Sequence, residues 1–274
     1  RAELIMLSDI AGYVGADTCG CLLAIRQDQQ EEISLMIDIG TNGEMVLGNR
    51  ERMVTCSTAA GPAFEGAKIE CGMRGAAGAV DHVKYEDGKW NYTTVGNKPA
   101  VGLCGSGLID LVAGLLDAGM LDENGVLRSG QEKQGVFILV PPERGGNERG
   151  VYLTQKDLGE VQLAKAAIAA GIQMLMERLG ITEDDICSVY IAGAFGNYMD
   201  PVSAGKIGLL PATLVKKVKP VGNAAGEGAK IALVNEKEML EMDELVRKIE
   251  FVELAASADF QDHFIDELGF ETGE

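Results

Sequence analysis

The 274-residue sequence has few of the side chains that build metal centres and nucleophilic sites. It contains two histidines and six cysteines, the latter at positions 19, 21, 56, 71, 104 and 187. No two cysteines form a Cys-x-x-Cys pair, which argues against a zinc or iron–sulfur ligand set. We expect buried or incidental reduced thiols, and we find no Ser-His-Asp or Cys-His set for nucleophilic catalysis.

Positive charge is also scarce, and long apolar runs are missing. The sequence has 24 Lys and Arg against 42 Asp and Glu, a formal net charge of −18. Nucleic acids and anionic membranes bind basic patches, so this balance argues against both as partners. No apolar run reaches the length of a membrane span, and we see no secretion signal. We therefore expect a cytoplasmic protein whose apolar residues, 46% of the chain, form a sizeable core.

The most informative stretch is residues 35–48, where an apolar strand ends at Asp38 and a second strand follows a small turn. Asn-Gly at the turn favours a type I′ hairpin, which needs positive φ at both central residues. Such a tip presents backbone N–H groups and a hydroxyl beside a carboxylate, which suits a phosphate and its Mg²⁺. We predict that Asp38 is the catalytic and metal-holding residue. The predicted phosphate contacts are Gly40, Thr41, Asn42 and Gly43. The alternative is a plain hairpin in which Asp38 caps a turn.

Two glycine-rich segments follow. Pro62 suits the first turn of a helix, so residues 58–66 predict a strand-to-helix connection whose helix N-terminus faces the hairpin as a second anion site. Residues 102–110 contain Gly-x-x-Gly-x-Gly and lead into a helix that Gly119 ends. The candidate binding residues of the two segments are Gly61, Gly105 and Ser106. An ordinary turn and close helix packing are the respective alternatives.

The remaining pattern predicts alternating strands and helices. Predicted strands lie at 34–39, 44–48, 52–56 and 186–192, a hairpin insertion near 79–101 and a loop insertion near 129–150. Predicted helices lie at 8–26, 160–179, 227–235, 236–250 and 257–268. The buried strand at 186–192 enters a loop containing Gly193, Gly196 and Asn197, which is where open α/β sheets place ligands. Glycine there lets a base or ribose approach the backbone.

This order of elements resembles a ribonuclease-H-like unit of the sugar kinase, heat-shock ATPase and actin superfamily. Residues 38–41 are similar to its phosphate hairpin, and residues 191–197 are similar to its adenosine motif. The resemblance implies an α/β fold, a mixed sheet flanked by helices, as one half of an actin-like ATPase. It also implies that Gly193, Gly196 and Asn197 wall the adenosine. Gln162 and Lys165, which share a helix face, would flank the base or ribose; the alternative is a solvated helix face.

A closer resemblance is to the C-terminal ATPase region of the reductive activators of corrinoid proteins. It covers residues 38–66, 102–110, 162–166 and 222–226. It implies ATP and Mg²⁺ as cofactors and a role in reducing cobalt(II) corrinoid to cobalt(I). The implied partner is a corrinoid protein or a corrinoid-dependent methyltransferase component. In that family the electrons come from a 2Fe-2S cluster in an N-terminal domain.

The sequence begins with Arg1 and contains one Asp-x-Gly-Thr hairpin, whereas ATPases of this superfamily carry one in each half. We therefore interpret residues 1–274 as a C-terminal ribonuclease-H-like ATPase subdomain of a longer protein. We do not expect this half alone to turn over ATP. The alternatives are a small-molecule kinase of the same superfamily and a non-catalytic module that docks on a corrinoid protein. A homodimer through the 79–101 hairpin or the C-terminal segment is a further prediction.

Overall fold

The computed structural model describes residues 6–128, 135–255 and 257–270, except for the side chains at 194 and 195. In chain order the strands are β1 Ser34–Ile39, β2 Gly43–Gly48, β3 Met53–Thr58, β4 Ala79–Glu86, β5 Lys89–Thr94, β6 Gly102–Leu103, β7 Val136–Val140, β8 Val151–Thr154, β9 Ser188–Ala192, β10 Val218–Gly222 and β11 Ile249–Phe251. The helices are α1 Ala16–Ile25, α2 Gly105–Asp117, α3 Gln155–Leu179, α4 Gly193–Gly196, α5 Pro201–Lys206, α6 Ala224–Val234, α7 Glu236–Val246 and α8 Ala258–Asp266. Within these residues no helix is both long and apolar enough to cross a membrane.

The central sheet has the strand order β10-β9-β1-β2-β3-β11. β1, β2 and β3 form an antiparallel meander, while β9 lies parallel to β1, and β10 parallel to β9. β11 lies parallel to β3 at the other edge. β1 is the central strand and is covered on both faces, which explains its nearly continuous apolar sequence. The predicted mixed α/β sheet flanked by helices is confirmed.

The two faces of the sheet carry different helices. Leu35, Ile37 and Ile39 point into the larger core, which α2 and α3 also line. Met36 points to the opposite face, where it packs with residues of α1 and α6. Because successive strand side chains alternate, Asp38 shares the face of Met36 and faces α1.

Helix α1 approaches α6 very closely, which glycine permits. A Cβ atom on Gly228 would lie 1.9 Å from the carbonyl oxygen of Gly20, so neither helix tolerates a side chain at Gly228 without moving. The helix predicted over 8–26 begins only at Ala16. Residues 10–14 form a tight turn instead, closed by hydrogen bonds between Ala11 and Val14. The close approach of α1 to α6 at Gly20 and Gly228 holds α1 beside the end of β1.

Helix α3 begins at Gln155, five residues before the predicted start at 160, and its N-terminus has a side-chain cap. The Thr154 hydroxyl accepts from the backbone N–H of Asp157, and the Asp157 carboxylate accepts from the N–H of Thr154. Burial along α3 does not follow residue type at two positions. Leu163 is 47% exposed, whereas the charged Lys165 is only 2% exposed.

Two predicted segments have a different structure. Residues 59–78 contain no helix, because Gly61 and Gly66 adopt φ values of +76° and +81°, which a right-handed helix excludes. The loop predicted at 129–150 contains β7, which pairs with β8, while residues 129–134 lie outside the described part. The hairpin predicted over 79–101 is present as β4 and β5.

Candidate functional site

The ends of β1 and β9 bring the two predicted nucleotide motifs to one edge of the sheet. Asp38 lies opposite Glu44 on β2 and opposite Ala192 on β9. Gly193 follows directly, with φ +88°, and a Cβ atom there would lie 3.0 Å from Oδ1 of Asp38. A side chain at Gly193 would therefore crowd the carboxylate. Parallel strands that end together are where α/β sheets bind ligands.

The hairpin tip is an exposed loop of residues 40–42. The Gly40 N–H donates to the Asn42 carbonyl (2.9 Å), and the Thr41 and Asn42 side chains are exposed. Thr58 donates from its hydroxyl to the Gly43 carbonyl (3.3 Å). The predicted type I′ turn is wrong, because none of residues 40–43 has positive φ. The tip nevertheless presents the exposed Thr41 side chain two residues beyond the end of β1, the strand that carries Asp38.

A second carboxylate reaches this tip, and the sequence analysis missed it. Thr41 Oγ1 lies 3.3 Å from each carboxylate oxygen of Glu65 and donates to them. Glu65 comes from the loop that was predicted to start a helix and to bind anions. The structure thus places a negative side chain where a positive helix end was expected. The available signal was an acid three positions after Pro62, in a segment already predicted to face the hairpin. The structure shows for Gly61 only its positive φ in the same loop.

Burial raises the pKa of Asp38. The charge of Asp17 raises that pKa further, while the Cys21 thiol, which donates to Oδ2 at 3.7 Å, lowers it. Burial also raises the pKa of Glu44, whose Oε1 accepts from the Ser57 hydroxyl at 3.2 Å. A bound cation would therefore stabilise the charged form of Asp38.

The oxygen donors at this edge fit Mg²⁺. Mg²⁺ is usually held by one or two carboxylates, with phosphates and water completing its octahedral shell. The described residues contain no cluster of three or more His, Cys, Asp or Glu side chains placed to hold a metal ion. The Asp38 carboxylate lies beside the start of the predicted adenosine loop, since a Cβ atom on Gly193 would come within 3.0 Å of its Oδ1.

The loop after β9 is held close to the sheet. A Cβ atom on Gly196 would lie 2.5 Å from the Ile191 side chain, so glycine there allows the turn to pack on β9. Asn197 is exposed, and its amide lies against Gly222 at the end of β10. Gly193 is half-buried and Asn197 is exposed, whereas Gly196 is buried.

The segment around Gly105 and Ser106 has a packing role. Ser106 is 2% exposed, and its hydroxyl donates to the Asp81 carbonyl at 2.8 Å. A Cβ atom on Gly107 would lie 2.2 Å from the Val80 carbonyl oxygen, so glycine lets α2 lie directly on β4. The alternative interpretation of this motif, close helix packing, accounts for its geometry, and we do not include Gly105 or Ser106 in the site.

Gln162 and Lys165 hold the C-terminal segment. Gln162 Nε2 donates to the carbonyls of Leu268 (2.9 Å) and Asn124 (3.2 Å). The buried Lys165 amine donates to the Gly269 carbonyl. Since both side chains are engaged in this way, we do not include them among the residues that flank a base.

The C-terminal segment places a carboxylate, from Glu267, and an aromatic ring, from Phe270, beside Lys165. Its Nζ lies 3.9 Å from a carboxylate oxygen of Glu267 and 5.4 Å from the centre of the Phe270 ring. Glu267 also accepts from Gln173 Nε2 at 2.7 Å. We call residues 258–270 with their α3 partners the C-terminal clamp.

Fold and edge together define a class of protein. An antiparallel meander ends in an acid-tipped hairpin, two parallel strands extend the sheet beyond β1, and a glycine loop faces the acid. This is the ribonuclease-H-like half of an actin-like ATPase.

The family follows from comparison with known proteins. A family model described as the C-terminal domain of RACo, the ASKHA domain, matches residues 32–274. The chain belongs to this family. A solved structure titled reductive activator for corrinoid,iron-sulfur protein superposes with a TM-score of 0.90 at 40% identity, over 96% of this chain and 44% of that one.

Two curated relatives cover nearly the whole chain. The corrinoid activation enzyme RamQ of Eubacterium limosum is 38% identical over 93% of this chain and 45% of its own length. The [Co(II) methylated amine-specific corrinoid protein] reductase of Methanosarcina barkeri is 30% identical over 99% of this chain and 52% of its own length. The chain thus spans about half the length of these relatives.

Proposed function

We propose that this chain is the nucleotide-binding part of an activator that couples ATP to the reduction of a cobalt(II) corrinoid to cobalt(I) in a partner corrinoid protein. The observation that carries the nucleotide assignment is the meeting of Asp38, the hairpin tip and the Gly193 loop at one sheet edge. Cobalt(II) reduction is supported by the names of two relatives, a corrinoid activation enzyme and a [Co(II) methylated amine-specific corrinoid protein] reductase.

The proposed division of labour follows the geometry of the edge. Asp38 holds Mg²⁺, directly or through water, and the ion neutralises phosphate charge when bound. The backbone N–H groups of residues 40–43 and the Thr41 hydroxyl contact phosphates. Gly193 and Asn197 wall the adenosine, and Gly196 lets their loop pack on β9. Phosphoryl chemistry depends mainly on positioning and charge neutralisation, which these groups supply without a covalent step.

We place the electron source outside this chain. A 2Fe-2S cluster needs cysteine thiolates, but burial raises the pKa of the Cys56 and Cys71 thiols and raises that of Cys19 to about 12. Coupling would then act through closure around the nucleotide, or through tighter binding of the complex with one cobalt state. The net charge of −18 suits a partner protein with a basic surface.

The test is Asp38→Ala in the natural gene product. We expect a loss of ATP-dependent cobalt(I) formation of about 100-fold or more, as for removal of a group that organises transition-state charge. Formation is followed by the absorbance of the corrinoid, and folding by circular dichroism. Glu51→Ala is the matched control, because Glu51 is an exposed acid in the turn at the opposite end of β2 and β3.

Unchanged ATP-dependent activation in a folded Asp38→Ala protein would contradict the site. Calorimetry distinguishes the proposed activator from a non-catalytic docking module. A docking module binds the corrinoid protein but does not bind ATP, whereas the proposed activator binds ATP. A small-molecule kinase would instead transfer the γ-phosphate to an acceptor.

A further inference from the structure

A cavity of about 660 Å³ lies between strand β4, helix α2 and the segment that runs from Asn197 to Lys206. This volume falls within the range of small-molecule binding pockets. Apart from Asn197, the residues that line the cavity have no part in the proposed nucleotide site or in the C-terminal clamp.

Asp110 supplies a buried carboxylate to the wall of this cavity, with a side chain that is 4% exposed. Its Oδ2 lies 3.1 Å from Nδ1 of His82 and accepts from the backbone N–H of Val83 at 3.3 Å. Its Oδ1 is buried and has no hydrogen-bond partner among the described residues. Burial raises the pKa of Asp110, while the Ser203 hydroxyl and the His82 ring lower it. A buried carboxylate oxygen without a donor costs free energy, and a positive charge in the cavity would reduce that cost.

Acids outnumber lysines along the described lining of the cavity. The acids are Glu86, Asp110, Asp117 and Asp200. Each of the two lysines lies beside one of them: Lys206 Nζ is 2.6 Å from both carboxylate oxygens of Asp117, and Lys84 Nζ is 3.9 Å from Glu86. Asp200 caps α5, where it accepts from the Val202 N–H at 3.1 Å and from the Ser203 hydroxyl at 3.2 Å. Asp110 therefore differs from the other three, because it combines burial with an oxygen that has no donor.

Aromatic rings line the same cavity. Tyr85 packs against Trp90 with 4.8 Å between ring centres, and Tyr198 is 64% exposed. The face of a tyrosine ring attracts an organic cation, and the attraction grows when water is excluded. A metal ion is less well served, since nowhere in the described part of the chain do three or more His, Cys, Asp or Glu side chains group to hold one. A buried carboxylate and an exposed ring together suit an organic cation.

We propose that this cavity binds an organic cation, an alkylammonium or guanidinium group, whose charge compensates Asp110 and which lies against the Tyr198 ring. The group belongs either to a free small molecule or to a lysine or arginine side chain of a partner protein, because the recognising chemistry is the same. The site is separate from the proposed nucleotide function and adds a ligand to it.

The experiment measures binding of tetramethylammonium and of methylguanidinium to the natural gene product by calorimetry, without nucleotide. Asp110→Asn removes the charge and keeps an oxygen for the Val83 N–H. Tyr198→Ala removes an exposed ring, so its folding does not depend on core packing. Tyr13→Ala is the matched control, since Tyr13 is 71% exposed and does not line the cavity. Circular dichroism checks that each variant is folded.

We expect the parent protein to bind at least one of the two cations. Asp110→Asn should weaken this binding about tenfold or more, as for the loss of a contact with a charged group. Tyr198→Ala should weaken it about threefold, as for one exposed cation–π contact, and Tyr13→Ala should match the parent. Adding the corrinoid protein identifies the source of the cation. Displacement of the probe indicates a side chain of the partner, whereas retention of the probe indicates a free small molecule.

Three results would overturn the proposal. The first is that neither cation binds the parent. The second is that Asp110→Asn and Tyr198→Ala bind as the parent does, because the net charge of −18 then attracts cations without a site. The third is that Mg²⁺-bound ATP displaces the cation from the parent, because the cavity then belongs to the nucleotide site through Asn197. A protein that binds the cation at Asp110 but does not bind ATP would contradict the proposed function and leave this inference standing.

Discussion

The hairpin edge and the C-terminal clamp are two polar regions, and residues of both were predicted from the sequence to form one nucleotide site. In the clamp these residues are Gln162 and Lys165. At the edge, Asp38 is half-buried with a thiol as its recorded side-chain donor, and Thr41 is exposed. In the clamp, Lys165 is 2% exposed and its charge meets a carbonyl, a carboxylate and a ring. Polar residues at the edge are still available to a ligand, whereas those in the clamp already have protein partners.

The difference shows what decides whether a polar residue in a motif can bind a ligand. Asp38 lies near the end of a central strand. Its carboxylate therefore reaches the edge of the sheet independently of distant segments of the chain. Lys165 lies inside a helix, and a later segment of the chain covers it. Its role therefore depends on residues that no local pattern specifies. If this contrast is right, substitutions in the clamp should cost stability and substitutions at the edge should cost binding or activity.

The largest stability effect should come from Lys165→Ala. The substitution leaves a cavity and strips Glu267 of its nearest recorded cation, and breaking a buried ion pair costs about 3–5 kcal/mol of unfolding free energy. We expect about 3 kcal/mol, since Glu267 is partly exposed. Denaturant unfolding measures this, with Lys156→Ala, an exposed lysine on the same helix, as the control.

The same position can also break the comparison. Lys165→Met keeps the apolar stem and should leave a folded chain with ATP affinity near that of the parent. If Lys165→Met instead unfolds at the parent's denaturant midpoint and loses ATP binding, Lys165 belongs to the nucleotide site and the contrast is wrong.

A smaller loss is expected from Gln162→Ala. Gln162 Nε2 donates to the Leu268 and Asn124 carbonyls, and a net hydrogen bond contributes about 1 kcal/mol. We therefore expect the unfolding free energy to fall by about 1–2 kcal/mol. Leu163→Ala, the next residue along and 47% exposed, is the control and should change stability by less than about 0.5 kcal/mol. An equal loss in both variants would mean that helix α3, and not the clamp, is being weakened.

Much of the edge could be predicted from the sequence because its signals are local. Neighbouring residues determine the structure around Asp38, in the small turn and in the buried strand before Gly193. The same holds for the α3 cap, in which Thr154 and Asp157 are three positions apart. The clamp could not be predicted in this way, because Gln162 and Leu268 are 106 positions apart.

The predicted helix after Pro62 failed for a different reason. Pro62 suits a first helical turn, but the positive φ of Gly61 and Gly66 redirects the chain on both sides of it. The chain also crosses itself closely here, since a Cβ atom on Gly72 would lie 2.1 Å from the Gly66 carbonyl oxygen. The redirected loop carries Glu65, whose carboxylate accepts from the Thr41 hydroxyl, so the failed helix and the missed carboxylate belong to the same segment.

The smallest expected change in stability is that of Asp38→Asn, and it is the most direct test of the hairpin edge. Burial raises the pKa of Asp38 above its ordinary value, so the charged form is destabilised in the folded chain. A raised carboxyl pKa lowers stability above the folded pKa, and this penalty disappears as the pH falls below the unfolded pKa. Asn removes the charge with little change of shape. At neutral pH the variant should therefore be slightly more stable than the parent, by about 1 kcal/mol or less.

The advantage of Asp38→Asn should vanish as the pH is lowered through the interval between the raised pKa and the ordinary pKa of the carboxyl group. Denaturant unfolding of parent and variant across that pH range, without divalent cation, measures it. Added Mg²⁺ and ATP should then stabilise the parent and not the variant, because only the parent keeps the carboxylate. A variant less stable than the parent at neutral pH would mean that Asp38 serves the fold, as Lys165 does, and the edge and the clamp would no longer differ in kind.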